Sequence, residues 1–251
     1  MKICSLITLI ILQTTITNAQ TLEHYLASRL GLEEYTGDIK CATKYELQLQ
    51  LQNDNLEIDL QNMYKLIRTE PVRAESLTTT HFTLHWNEVG THAVPAEDVL
   101  GNGIPDYIDS AAVIFEYVWD VEINQMGYSP PPQQNGQPTT NYHIYFSNIP
   151  YYGLTTGSGI DIPSLPGENW TSYIELDNDY QESYFASKGL DGLRVTAAHE
   201  FHHAIEFGYN IRQEDFFFYE MTATWLEDVL FTDINDYYNY LGPLFTHLGN
   251  K

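Results

Sequence analysis

Five consecutive residues, His199-Glu200-Phe201-His202-His203, constrain this chain more than any other stretch. They lie in a run from Leu190 to Phe207 that predicts a helix, with Ala197, Ala198, Ala204 and Ile205 as small or apolar neighbours. Residues four apart share one helical face, so His199 and His203 can aim both imidazoles at a single zinc ion. Glu200 sits beside them, where a carboxylate can take a proton from a water that the ion activates. A catalytic zinc usually takes a third protein donor and leaves a fourth position open. Glu220 follows 17 positions after His203, within a second predicted helix from Phe216 to Leu230. The gap allows one turn and a return, so Glu220 can meet the two histidines from an antiparallel helix.

A metzincin continuation requires a glycine three positions and a histidine six positions after His203. Glu206 and Tyr209 stand there, and that class is excluded. Glu227 lies seven residues beyond Glu220, on nearly the same face, where it can orient a metal ligand; the alternative for Glu227 and Asp228 is a solvated helix end. His202 reads as a packing or rim residue, because the spacing favours His199 and His203 as the pair.

These stretches, HEFHHAIEFGY (His199 to Tyr209) and EMTATWLED (Glu220 to Asp228), resemble the HEFFHAIQFGY and EGTATWMED-like signature of a family of secreted bacterial zinc metalloproteases of the gluzincin, zincin-like kind. The resemblance extends through HFTLHW (His81 to Trp86), GNGIPDYID (Gly101 to Asp109) and SYIELDNDY (Ser172 to Tyr180), covering most of residues 76 to 240. It implies a zinc endopeptidase with His199, His203 and Glu220 as ligands and Glu200 as base. Three positions depart from the pattern: His202 for a usual Phe, Glu206 for a usual Gln and Met221 for a usual Gly. None removes a ligand or the base. Proteases of this kind generally carry further helices after the third ligand, and those often supply the group that steadies the oxyanion. A chain that stops at Lys251 is therefore expected to be a fragment or a truncated form. Tyr209, Tyr219 and His247 are the candidates for that role, against ordinary packing or surface positions.

The expected fold is α+β: a zincin-like domain over residues 76–251, with a mixed sheet, the HExxH helix and the following glutamate helix. Strands are predicted at Thr80 to Trp86, Tyr142 to Phe146 and Ser172 to Leu176, and a helix at Tyr107 to Met126. The alternating strand Ser172 to Leu176 is a candidate edge on which an extended peptide can lie. Residues 20–75 read as a helical N-terminal segment or a propeptide. Leu22, Tyr25, Leu26 and Leu30 recur at helical spacing with Gly31 to close the helix, and one further helical stretch runs from Lys44 to Ile67.

Residues 1–19 carry Lys2, an apolar run from Ile3 to Leu12, and Thr17-Asn18-Ala19 before a cleavage point, the pattern of a secretory signal. The expected location is secreted, periplasmic or extracellular. Signal removal takes Cys4 and leaves Cys41 alone, so no intrachain disulfide can form and the exported protein relies on its core or on metal. Asn169-Trp170-Thr171 is a glycosylation sequon, relevant only in a eukaryotic secretory pathway. With 11 Lys and Arg against 34 Asp and Glu, the chain carries a formal charge of -23. Such a surface repels phosphate backbones and anionic headgroups, which argues against nucleic-acid and membrane-surface partners. No apolar run beyond the signal is long enough for membrane insertion.

The stretch Asp98 to Asp109 resembles a calcium loop, with Asp98, Asn102, Asp106 and Asp109 as oxygen donors. Leu100 occupies a position that should be acidic, so the loop is either a degenerate calcium (Ca2+) site or an Asn-Gly turn before the next helix. The functional expectation is hydrolysis of a peptide or protein substrate, with one catalytic Zn2+. The alternatives are an exported binding or adhesion module with an inactive protease-like fold, and a zinc hydrolase acting on something other than peptides.

Overall fold

The computed structural model describes residues 21–34 and 39–240. The predicted signal segment and His247 lie outside the described residues. The architecture is α+β, with six α-helices and one mixed five-stranded sheet among the described residues. The N-terminal segment contributes α1 (21–29), α2 (Thr43–Gln52) and α3 (Ile58–Ile67). Then follow β1 (Glu75–Thr78), β2 (Phe82–Trp86), α4 (Asp106–Trp119), β3 (Tyr142–Ser147), β4 (Gly153–Gly157), β5 (Ser172–Asp177), α5 (Gly189–Tyr209) and α6 (Phe216–Leu230).

The stretch expected as one helix from Lys44 to Ile67 is two. A 3-10 turn at Asn53–Asn55 separates α2 from α3, and Leu56 is extended. The sequence there is Asn-Asp-Asn, whose short polar side chains compete with helical backbone bonds. Gly31, expected to close α1, has φ 67°, a left-handed conformation that suits glycine at a helix end. α4 does not run regularly to Met126. It passes at Asp120–Gln125 into a π-helical turn, where Asn124 Nδ2 and Gln125 Nε2 donate to the Asp120 carboxylate at 3.0 and 2.8 Å.

The strand order is β1-β2-β3-β5-β4. β2, β3 and β5 run parallel, while β1 and β4 are antiparallel additions at the two edges. The expected edge strand, Ser172 to Leu176, is therefore an interior strand, paired with β3 on one side and β4 on the other. β4 is the edge, and it escaped sequence reading because it is Gly153-Leu154-Thr155-Thr156-Gly157 inside a Gly/Pro/Ser-rich connection. Its glycines are required by close packing. A Cβ on Gly153 would lie 2.7 Å from Thr196 Cγ2 and 3.0 Å from Glu200 Cγ, and one on Gly157 would lie 2.6 Å from Trp170 Cε3.

One face of the sheet carries the main core, where Phe82, Leu84, Ile144 and Phe146 meet Phe115 and Trp119 of α4 and Phe201 of α5. A second core joins the N-terminal segment to the sheet: Tyr25, Leu26, Ala42, Leu49 and Tyr64 pack with Ile149, Tyr151 and Leu154. Arg29 anchors it further, donating to Tyr151 Oη at 2.6 Å and to the buried Glu175 carboxylate. Asn169 of the sequon is fully buried and donates to the Pro166 carbonyl, so its amide is inaccessible in the folded chain.

Candidate metal centre

α5 and α6 are antiparallel partners joined by residues 210–215. Glu220, early on α6, consequently faces His203, late on α5, while Glu227 two turns further faces His199. The two imidazoles lie with Nε2 atoms 3.1 Å apart. Glu220 brings Oε2 to 3.7 Å from His199 Nε2 and Oε1 to 3.6 Å from His203 Nε2. A fourth donor joins them from the N-terminal segment: Cys41 Sγ is 3.5 Å from His203 Nε2. Ligand atoms of Cys41, His199, His203 and Glu220 all lie within 4.8 Å of one another.

These separations test whether the site fits a metal. Zinc bonds of roughly 2.0–2.3 Å in a tetrahedral arrangement place donor atoms about 3.3–3.8 Å apart. The observed contacts of 3.1, 3.5, 3.6 and 3.7 Å fall at or close to that range. The donor set of two imidazoles, a thiol and a carboxylate suits a divalent transition-metal ion.

Both imidazoles are held by carboxylates on their far nitrogens. Glu227 Oε1 is 2.7 Å from His199 Nδ1, and Glu206 Oε2 is 2.9 Å from His203 Nδ1. Nδ1–H donation to a carboxylate leaves each Nε2 lone pair facing the cluster, the orientation a metal ligand needs. Glu206 is itself fixed by Thr222, whose hydroxyl donates to Oε1 at 2.6 Å. Burial works against charging His199, but Cys41 and Glu227 outweigh it and lift the imidazole to about 10. His203 is raised too, with Cys41, Glu206 and Glu220 overriding its burial. Burial pushes the Glu220 carboxyl up, yet His203, His199 and Lys44 prevail and hold it at about 2.

Glu200 is buried, and its Oε2 accepts from Thr43 Oγ1 at 2.8 Å and from Thr155 Oγ1 of β4 at 2.9 Å. His202 is buried as well but turns away from the cluster, its Nδ1 2.9 Å from Glu122 Oε2 in the π-helical turn. Its ring meets Tyr128 edge-on, consistent with a packing residue.

No family model, curated protein or solved structure matches this chain.

The remaining candidates stand apart from the cluster. The Tyr209 hydroxyl accepts from the Ser129 amide at 2.9 Å, and Tyr219 donates to the Asn210 carbonyl at 2.9 Å, fixing the α5–α6 connection. Both hydroxyls are thus committed to backbone partners. In the candidate calcium loop, Asp98 accepts from the amides of Gly101, Asn102 and Gly103, Asp106 accepts from Val99 and Leu100, and Asn102 donates to Asp109. The carboxylates there organise a turn ahead of α4. Two members of the centre were not singled out from sequence as metal-site residues. In the sequence Glu206 reads only as a departure from a motif, and Cys41 only as a lone cysteine. A second acidic gathering, also unanticipated, joins Asp177, Asp179 and Glu182 after β5. Burial pushes the Asp177 carboxyl up to about 7, against the amides of Tyr180, Asp179 and Ile149 that donate to it.

Proposed function

We propose that this chain is an exported zinc endopeptidase of zincin-like fold, acting on peptide or protein substrates. One observation carries the reading: His199 and His203 of α5 converge with Glu220 of α6, and Glu200 lies on the same helix beside them. Zinc, when bound, supplies Lewis-acid polarisation of a carbonyl and lowers the pKa of water. His199, His203 and Glu220 would hold the ion, while Glu227 and Glu206 keep the two imidazoles in the ligating tautomer. Glu200 takes a proton from the attacking water and returns it to the leaving amine. Thr155 steadies the Glu200 carboxylate from the edge strand that a peptide would lie along.

Among the described residues, no helix is long and apolar enough to cross a membrane. Export rests on the signal-like residues 1–19. The rival reading, a binding module with an inactive protease-like fold, gains support from Cys41, because four protein donors describe a closed, structural zinc site.

Zinc analysis of the full chain beside Glu220→Ala tests the assignment. One zinc per chain, weakened in the variant, together with chelator-sensitive cleavage of an unfolded protein, is the expected result. A well-folded wild type without zinc overturns it.

A further inference from the structure

We infer that residues 40–43 hold the proposed peptidase shut: Cys41 stands as fourth donor where a catalytic ion would keep an open position, while the same segment lies along β4 in place of a substrate. The inference rests on the peptidase reading and adds to it a latent state built from the N-terminal segment.

Three residues of one short stretch engage three different parts of the site. Lys40 Nζ is 2.6 Å from Glu227 Oε2, the carboxylate that orients His199, and 2.7 Å from Asp236 Oδ2. Cys41 enters the metal cluster itself, buried and, among the described residues, the only cysteine. Thr43 donates to Glu200, the proposed base. A segment packed for stability alone has no reason to place its polar groups on ligand, orienting carboxylate and base together.

The backbone of β4 gives an independent observation. An extended peptide binds an edge strand through that strand's outward amides and carbonyls. Here several groups along that edge are already taken. Tyr152, just before β4, donates its amide to the Lys40 carbonyl at 3.1 Å, and the Gly153 carbonyl accepts from the Ala42 amide at 3.1 Å. The Thr155 amide donates to Thr43 Oγ1 at 2.7 Å, and the Gly157 carbonyl accepts from Gln50 Nε2 at 2.5 Å. Cys41 and Gly153 pair as a parallel bridge. The N-terminal segment thus covers the edge, by a single bridge at Cys41 and by side chains of α2, with its thiol delivered to the cluster. Residues 68–72 lead from it toward β1 along a mostly exposed path, with Val72 88% exposed, so a cut there severs the covalent tie and leaves the segment held by its packing alone.

The test uses the full chain carrying Cys4→Ser, so that Cys41 is the only thiol, loaded with cobalt(II). The expected result is one cobalt per chain, a sulfur-to-cobalt charge-transfer absorption, and a thiol that resists iodoacetamide until a chelator is added. Cys41→Ala should keep the cobalt and lose that absorption. If nine chains in ten are shut, displacement of the thiol raises cleavage of an unfolded protein by about tenfold. Should Cys41→Ala fail to fold, Cys41→Ser takes its place and is read for the same loss of absorption and gain in cleavage. Cobalt bound without the sulfur absorption, with a thiol equally reactive with and without metal, overturns the inference and leaves the peptidase reading standing. The sulfur absorption with no cleavage after Cys41→Ala or after a cut at residues 68–72 also overturns latency, and marks a structural four-donor site. A chain that binds no cobalt removes the peptidase reading itself.

Discussion

Thr43 Oγ1 lies 2.8 Å from Glu200 Oε2, joining a residue of α2 to a carboxylate of α5 across 157 positions of sequence. The same hydroxyl accepts the Thr155 amide at 2.7 Å, so one atom ties the N-terminal segment, the edge strand and α5 together. Removing it exposes how much of the fold depends on that junction.

Thr43→Val keeps the shape and deletes the hydroxyl. The Thr155 amide then loses its partner, and Glu200 Oε2 keeps only Thr155 Oγ1. Leaving such buried groups short costs about 1–3 kcal/mol. Urea unfolding of the full chain should register that loss with an unchanged slope; an unaltered midpoint would show the junction to be energetically empty.

Glu227→Gln retains an acceptor for His199 Nδ1 but removes the charge that fixes the imidazole and pairs with Lys40. Loss of such an outer carboxylate weakens zinc binding by about 10–100-fold. Glu206→Gln acts on His203 from a less buried position, and the expected loss is smaller, below about tenfold. Competition against a chromophoric chelator measures both.

Asp177 sets a pH dependence. Its carboxyl rises from 3.8 to about 7 in the fold, through burial and Glu182, against three donating amides. The folded state holds this proton more tightly than the unfolded chain does. Its contribution is therefore fully present below pH 3.8 and is lost as pH rises through about 7. The decline should amount to about 4 kcal/mol, and Asp177→Asn should flatten it. Stability curves of both proteins between these limits, in metal-free buffer, decide the point.

Gly153→Ala drives a methyl into Thr196 and the Glu200 side chain. Overpacking of this kind costs about 1–3 kcal/mol. A thermal melt reports the loss, whereas an unshifted melt would mean that α5 can back away from β4 freely.

Much of this molecule was legible where periodicity and spacing carry the signal. α5 and α6 follow the expected runs closely, and β3 and β5 each extend one residue beyond theirs. The four-residue spacing and the 17-residue return brought His199, His203 and Glu220 together, and Glu227 sits where its heptad offset from Glu220 pointed. β4 was illegible because its glycines answer to Thr196, Glu200 and Trp170, which are remote in sequence. Its omission gave β5 the role of edge. Cys41 was illegible for the same physical reason: its meaning lies in a contact with a residue 162 positions away, and a lone cysteine has no spacing to read. Tyr209 and Tyr219 were proposed from residue type alone, and their hydroxyls are committed elsewhere.

The covering of β4 has a consequence outside catalysis. An edge strand with unpaired amides and carbonyls is a template for other chains, and proteins commonly blunt such edges. β4 carries no charged residue and no proline to repel a neighbour. What protects it from pairing with a second molecule is the contact with Lys40, Ala42, Thr43 and Gln50. The stretch that closes the site therefore also keeps the sheet from growing, and any molecule that sheds it gains a sticky rim along with an open centre.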